Sequence, residues 1–511
     1  MKKKSLNLIF VLAIFICMLD TTVMNVSLPA ISESLDTDLD TLSWALNAYT
    51  IIFASLTIPL TRIADMWGKT RCFLLGALAF GLGSLLSGLA DSFTFLLVGR
   101  VIQALGAATL LPLAMVMGIE AAAPAARRNT IALLGTTQGL AAAMGPIIGG
   151  IVTQWLSWHW IFFINIPLVL VIMLMTWLNR ATLPQGRKGQ NMDWPGSLLS
   201  IITLASLTTL LIKGRTWGWA SPLSLSVIAL ILISFILFIW REKTAKEPMI
   251  PLSLFASRQF SGASIVLVLS SLFLVAISVI LPTYFVNIEG FSTLNGALMI
   301  TPTMFAIFIV APIAGFLQEK TGIRWLIFVG LCLMAAGYAS YGFTDALTQV
   351  WSACLAGVLV GAGYGMIMGP VTAAAVADFT GPMLSASQSV TGVLRQVGVV
   401  LAVAIFVSGL YANLQSAKKE SIQDAERIIK TSDMPTQLKP IVIQSATKKL
   451  QSSTGNTGKS AKTGNPVIDQ SIQKVQTQSK TNYRLAFKKL YRYALPVILL
   501  SLLTIFIFKR R

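Results

Sequence analysis

One acid interrupts the first apolar run of this chain: Asp20, in LNLIFVLAIFICMLDTTVMNVSLP. A carboxylate in hydrocarbon costs roughly 3 kcal/mol or more, and its cheapest escape is to hold a proton, because apolar surroundings disfavour the charged form. Asp20 therefore reads as a proton or cation site; the competing reading is a carboxylate that pairs with an arginine and only holds helices together. Cys17, Met24 and Ser27 lie about one helical turn or two from it, a small and mixed face suited to a cavity wall. Arg100, near the start of the run containing GRVIQALGAA, cannot discard its charge and needs a partner, a wet cavity or a path out to the membrane surface. Arg395, in VLRQVG, lies deeper in its run, with Gln388 and Thr391 back along one face and Gly398 a turn on. No partner for it is evident, and three roles stay open: structural support, binding an anionic group, or a part in coupling. The substrate-cavity candidates are Met24, Ser27, Gln103, Gln388, Thr391 and Arg395.

The elements that must carry these residues are membrane helices. The chain has 511 residues, of which 55% are hydrophobic and 12% charged, with a mean hydropathy of +0.74; a soluble domain carries about 25% charged residues. Apolar runs long enough to cross a core of roughly 30 Å recur from end to end. They predict fourteen spans, at 7–30, 43–62, 72–90, 94–118, 129–153, 160–178, 194–212, 222–240, 260–285, 296–316, 324–343, 349–376, 384–412 and 492–508. Much of the net charge of +19 lies in every second short loop and at the termini, all on one side, including Lys2–Lys4, Lys69, Arg71, Arg127, Arg128, Arg187, Lys188, Lys320 and Lys509–Arg511. That pattern orients a membrane protein rather than binding nucleic acid, and it puts both termini in the cytoplasm. Residues 413–491 break the series: polar, with TGNTGKSAKTGNP in the middle, they read as a long extracytoplasmic loop, a solvated tether, with YRLAFKKLYRY (483–493) as a possible amphipathic helix on anionic lipid. The tryptophans at 155, 158 and 160 read as an interfacial belt. Four cysteines without metal or redox spacing read as small apolar residues, and His159, the single histidine, has no second to share a metal, so neither metal nor cofactor is expected. No G-x-x-x-x-G-K-[ST] is present, which argues against an ATP-driven pump.

Two loops echo each other. TRIADMWGKTR (61–71) and GFLQEKTGIRW (315–325) align without gaps, setting Asp65 against Glu319 and Gly68 against Gly322. Internal symmetry of this kind is what a two-bundle transporter leaves in its sequence. With Lys69 and Arg71 these residues are candidates for a charged gating latch at the cytoplasmic side.

These motifs resemble the major facilitator superfamily, whose signature between the second and third helices is G-x-L-A-D-r-x-G-r-[KR]; here Asp65, Gly68 and Lys69 fit while Thr61, Met66 and Thr70 depart. LDTTVMNVSLPAI, GRVIQALGAA, GLAAAMGPIIGG, WHWIFFINIP and VLRQVG are similar to motifs of its fourteen-span drug:H+ antiporter branch, which holds quaternary-ammonium and lincomycin exporters. The resemblance implies two six-helix bundles with two extra helices: an N-terminal bundle at 1–180, the extra pair at 181–254, C-terminal helices at 255–412, the loop at 413–491, and a last helix with its tail at 492–511. It also implies Asp20 as the proton site, tuned by Arg100, and a pliable fifth helix at Gly139, Gly145, Pro146, Gly149 and Gly150. Small residues let helices approach there and proline kinks the helix.

The function implied is not enzymatic. It is export of amphipathic, cationic drugs in exchange for protons across a bacterial plasma membrane, by a protein that works as a monomer with lipid as its surroundings and the proton gradient in place of a cofactor. No acid is evident within helix ten, which implies poor handling of dications. A narrower exporter of a lipid, antibiotic, peptide or metabolite on the same fold is the first rival, and a non-transporting receptor or scaffold the second.

Overall fold

The computed structural model describes residues 2–123, 126–183, 191–432, 434–452 and 466–508, and every regular element among them is helical. Helices α1 (Lys2–Ser34), α2 (Leu39–Trp67), α3 (Lys69–Gly88), α4 (Phe93–Ala121), α5 (Arg127–Trp155) and the broken pair α6 (Trp160–Phe163) and α7 (Asn165–Leu178) build one half. The other half holds α10 (Arg258–Asn287), α12 (Thr301–Thr321), α13 (Ile323–Phe343), α14 (Val350–Val376), α15 (Pro382–Ala402) and α18 (Pro466–Ser501), with α11 (Thr293–Leu298) a short piece between α10 and α12. The extra pair is α8 (Trp194–Trp217) and α9 (Pro222–Thr244). Among the described residues, thirteen helices are long and apolar enough to span a membrane, or fourteen if α5 counts as one span despite a bend of 42° between residues 129–141 and 144–155. Pro146 lies in the second part of that span, where it leaves a backbone carbonyl without its usual donor. The most apolar window of α4 is 89% buried and that of α9 only 17%, which makes α4 central and α9 a lipid-facing periphery.

The repeat is visible in the backbone. Gly68 and Gly322 both have positive φ, 113° and 81°, and each N–H closes the helix before it by donating to the carbonyl four residues back, Ala64 at 3.0 Å and Gln318 at 3.1 Å. Only glycine enters that region cheaply, so each half makes the same sharp corner. From the corners on, Gly76, Gly83 and Gly88 recur as Gly330, Gly337 and Gly342. A side chain at Gly83 would strike the backbone of Gln103, and one at Gly337 would come within 2.8 Å of the Ala356 carbonyl; both halves thus press their third and fourth helices together in the same way.

The extra pair is strapped to both halves. Lys213 of α8 sits over the Trp44 ring of α2 at 4.5 Å, and Arg215 sits over Tyr411 at 4.9 Å, on α16 (Ser408–Lys430), the outward extension of α15. Met249, in the linker after α9, wedges between Ile58 of α2 and Val393 of α15, so α8 and its linker lie along the α2–α15 seam.

The region expected to be a tether is largely folded. α15 runs through a π-helical turn at Val403–Val407 into α16, giving a helical span of 49 residues. At 1.5 Å per residue that is about 70 Å, more than twice the hydrocarbon thickness. α17 (Lys439–Ser452) and the first half of α18 pack on it through Ala425, Ile429, Leu450 and Val475. The segment expected to lie on lipid is instead the middle of α18: Tyr483, Phe487 and Tyr491 are buried, and Tyr491 stacks on Tyr341 of α13 at 4.9 Å. Protein supplies the apolar contact that the sequence reading assigned to lipid. Residues 454–465 of the stretch read as disordered lie outside the described residues. The tryptophan belt also needs correction: Trp155 and Trp160 are exposed, but Trp158 is buried among Ile161 and Phe162, stacked on His159 at 3.8 Å.

Candidate functional site

Asp20 lies a little past the midpoint of α1, buried and facing α4. Its Oδ2 accepts from Arg100 Nη1 at 2.7 Å and its Oδ1 from Gln103 Nε2 at 2.8 Å. The same Arg100 nitrogen also donates to Gln103 Oε1 at 2.7 Å, closing a three-residue ring. Behind it, Ser84 Oγ accepts from Gln103 Nε2 at 3.1 Å and from Asn165 Nδ2 at 2.9 Å, and donates to the Phe162 carbonyl at 3.0 Å. The Arg100 guanidinium lies over the Tyr49 ring at 4.2 Å. The close α3–α4 packing made by Gly83 is what sets Ser84 against Gln103. Arg100 is 1% exposed, so it does not snorkel outward. The structure sets Arg100 against Asp20, the arginine pairing that one of the two sequence readings anticipated. Such a pair is costly to break, because the charge left behind has no water.

Next to this ring is a cavity of about 40 Å³, room for two or three waters, enclosed by α1, α2, α4 and α5 on one side and α10, α14 and α15 on the other. Arg395 enters it from α15 and points Nη1 at Met18 Sδ, 4.0 Å away and two residues before Asp20. Gln388 and Thr391 line the same wall. The other three cavity candidates do not line it. Met24 is buried in a cluster with Val23 and Leu42, Ser27 hydrogen-bonds Thr153 Oγ1 at 2.6 Å on α5, and Gln103 is committed to the Asp20 ring. The physical reason is the glycines of α5: a side chain at Gly145 would collide with Thr22 and Val23, so α5 closes over the far part of α1 and covers that face. Gln138, Gln396 and Thr57 line the cavity and were missed, although a glutamine within an apolar run, or beside an arginine already singled out, is a legible signal.

The gating residues divide. Lys69 donates to Glu120 at 2.6 Å and sits 3.6 Å from Asp65, whose Oδ1 accepts from Ser385 Oγ of α15 at 3.0 Å across the seam between the halves. Arg127 adds a second crossing bond, to the Phe379 carbonyl at 3.4 Å. Both crossings lie on the face where α1 begins, so the halves are closed together there. Arg71 is exposed and outside the cluster; Glu120, not foreseen, takes part instead. Gly322 forms its corner, while the side chain of Glu319 lies outside the described residues. Of the fifth-helix glycines, Gly145 and Gly149 face Val23 of α1, and Gly139 faces Ile307 of α12 in the other half. Gly150 is buried and Pro146 partly so.

Comparison with known proteins bears on this architecture. The profile of the Major Facilitator Superfamily matches residues 10–403. The chain is 28% identical over 424 residues to multidrug resistance protein Stp of Mycobacterium tuberculosis, covering 81% of this chain and 77% of that one. It is 28% identical over 399 residues to multidrug resistance protein 3 of Bacillus subtilis, 77% of each chain. With puromycin resistance protein pur8 of Streptomyces alboniger it shares 30% over 395 residues, 76% of this chain and 78% of that one. Among solved structures, the human organic anion transporter MFSD10 superposes with a TM-score of 0.57 at 13% identity, covering 96% and 99% of the two chains. A bacterial homologue of the human lysosomal transporter Spinster gives 0.54 at 16% identity, covering 99% and 98%. At such identities the likeness concerns the fold alone.

Proposed function

The chain belongs to the Major Facilitator Superfamily, and from that premise we propose that it is a proton-driven exporter of amphipathic drugs or toxic compounds in a bacterial plasma membrane, with both termini cytoplasmic. Membership makes it a multi-pass membrane transporter and not an enzyme. The finer reading is supported above all by the sealed ring of Asp20, Arg100 and Gln103 set one step from the cavity. A proton arriving at Asp20 removes the negative charge that holds Arg100. The guanidinium must then turn to the Gln103 carbonyl and the Tyr49 face, and the packing of α1 against α4 relaxes. Loss of the proton restores the pair. Alternation between these states is the coupling step, with the Asp65–Ser385 and Arg127–Phe379 crossings made in one and broken in the other. Relatives named for multidrug and puromycin resistance support drugs as the cargo.

The expectation of cationic cargo rested on an apolar, methionine-rich lining with one carboxylate, and two features of the geometry bear on it. The acid's charge is matched by Arg100, and the cavity wall carries Arg395 and no acid. The test of coupling is uptake of a fluorescent amphipath into inverted vesicles under an imposed proton gradient. Asp20→Asn is expected to lose the response to the gradient while retaining downhill exchange; full gradient-driven accumulation by that variant would remove Asp20 from the mechanism.

A further inference from the structure

We propose that the cavity selects amphipathic molecules bearing an oxyanion, a carboxylate in first place, which pairs with Arg395 while Gln388 donates to a second acceptor on the same molecule. This deepens, and rests on, the exporter reading above. Among the described residues Arg395 is the one charged side chain in the cavity wall, and a guanidinium keeps its charge whatever its surroundings. Among the described residues no carboxylate pairs with it: its Nη1 reaches only the Met18 sulfur, and its Nε is buried without a hydrogen-bond partner. Gln388 is 5% exposed, lines the same cavity, and has an amide nitrogen likewise buried and unpartnered. Gln138, opposite, spends its amide on the Met115 sulfur at 2.9 Å, a weak acceptor that a ligand oxygen would displace.

Two donor groups thus face into a space whose other lining mixes neutral polar side chains, such as Thr57, Thr391 and Gln396, with apolar ones, such as Met18, Phe53 and Leu267. The nearest membrane-embedded acid offers nothing to a cation, because both Asp20 oxygens already accept from Arg100 and Gln103. In a space shielded from water, an unmatched positive charge repels cations and attracts anions more strongly than it would at a surface. A planar guanidinium is also the group that best matches a carboxylate, two N–H bonds to two oxygens. Closed as it is here the space takes only about two or three waters, so the body of a substrate enters as the halves part, and the apolar part of the wall then holds it without specifying it, consistent with a broad range of cargo built on one shared charge.

Three probes with one apolar body separate the possibilities: pyrenebutyrate, pyrenebutanol and pyrenebutylammonium, titrated by fluorescence against the full-length protein in detergent. Wild type is expected to bind the carboxylate roughly tenfold or more tighter than the alcohol, the usual margin of a charge-assisted pair, and the ammonium weakest. Arg395→Gln should abolish the preference, so that carboxylate and alcohol bind alike, and Arg395→Lys should restore part of it. Wild-type preference for the ammonium, no binding of the carboxylate, or a preference that survives Arg395→Gln would each overturn the inference, and the wild-type comparison decides even if a variant fails to fold. Gradient-driven transport of whichever probe binds, measured separately in proteoliposomes, tests the exporter reading: binding with the predicted order but no transport would sink that reading and leave the cavity's selectivity standing.

Discussion

The ring at Asp20 makes a quantitative prediction through a double-mutant cycle. Asp20→Asn removes the carboxylate charge and leaves the Arg100 guanidinium, 1% exposed, with only Gln103 Oε1 and aromatic faces for company. Arg100→Met does the converse, leaving the carboxylate with a single donor, Gln103 Nε2. Removing one partner of a buried pair costs about 3–5 kcal/mol, most of it the desolvation of the charge left behind, whereas replacing both is close to neutral. Each single variant should therefore lose about 3–5 kcal/mol, and the double variant far less than their sum, a coupling of roughly 3 kcal/mol or more. The assay is unfolding of the purified protein in detergent micelles with rising dodecyl sulfate at neutral pH, followed by tryptophan fluorescence. Losses that add to within about 0.5 kcal/mol would mean that the two groups do not meet, and the account of proton coupling built on their competition would go with them.

Two further predictions follow from packing and from the outer charges. Gly145→Ala places a methyl group against Thr22 and Val23 and should destabilise by about 1–3 kcal/mol with loss of efflux, whereas Gly139→Ala, whose new carbon would lie 3.4 Å from Ile307, should fold and transport normally; equal behaviour of the two in an efflux assay would contradict the packing described. Glu289, just beyond α10, is pushed up by burial, but hydrogen bonds from Lys480, Tyr284 and Arg484 together outweigh this and hold its carboxyl below the usual range. A depressed carboxyl stabilises above its unfolded value, near 4.3, and that contribution is lost as the pH falls through the lower folded value. Hydrogen exchange in α18 around Lys480–Arg484 should thus rise on acidification below about pH 4 in the wild type, and Glu289→Gln should show the high exchange already at neutral pH; exchange independent of both changes would remove this clamp from the stability of the outer helices.

What could be read from the sequence follows from what hydrocarbon penalises. Charges are rare within apolar runs, so Asp20, Arg100 and Arg395 stood out singly, and the spans themselves were set by length and hydropathy. Their partners were not legible. The ring joins residues from α1 and α4, with Ser84 of α3 and Asn165 of α7 behind it, and nothing in the spacing of one helix tells which neighbour its polar face meets. The face of α1 carrying Met24 and Ser27 looked like a cavity wall because its polarity was counted without the α5 glycines that bring another helix over it. Glycine spacing held more than was taken from it, since the repeat of Gly68, Gly76, Gly83 and Gly88 in the second half aligns the corners and the close helix pair after them. The outer helices were hidden for a different reason. Their mean polarity is that of a loop, and the signal lies in a narrow stripe, Ala417, Ser421, Ala425 and Ile429 on α16, that recurs every four residues and that averaging erases.

The position of α8 carries a consequence for traffic through the membrane plane. One flank of the molecule, where α2 meets α15, is roofed by α8 and plugged by Met249, while among the described residues no additional span packs over the opposite flank, where α5 meets α12. A hydrophobic solute diffusing within a leaflet therefore meets one covered seam and one uncovered seam, and the bent, glycine-bearing helix forms one side of the latter. Cargo gathered from lipid would come in by a single flank, so that the orientation of a neighbouring molecule or a crowded patch of membrane would throttle transport without touching its chemistry.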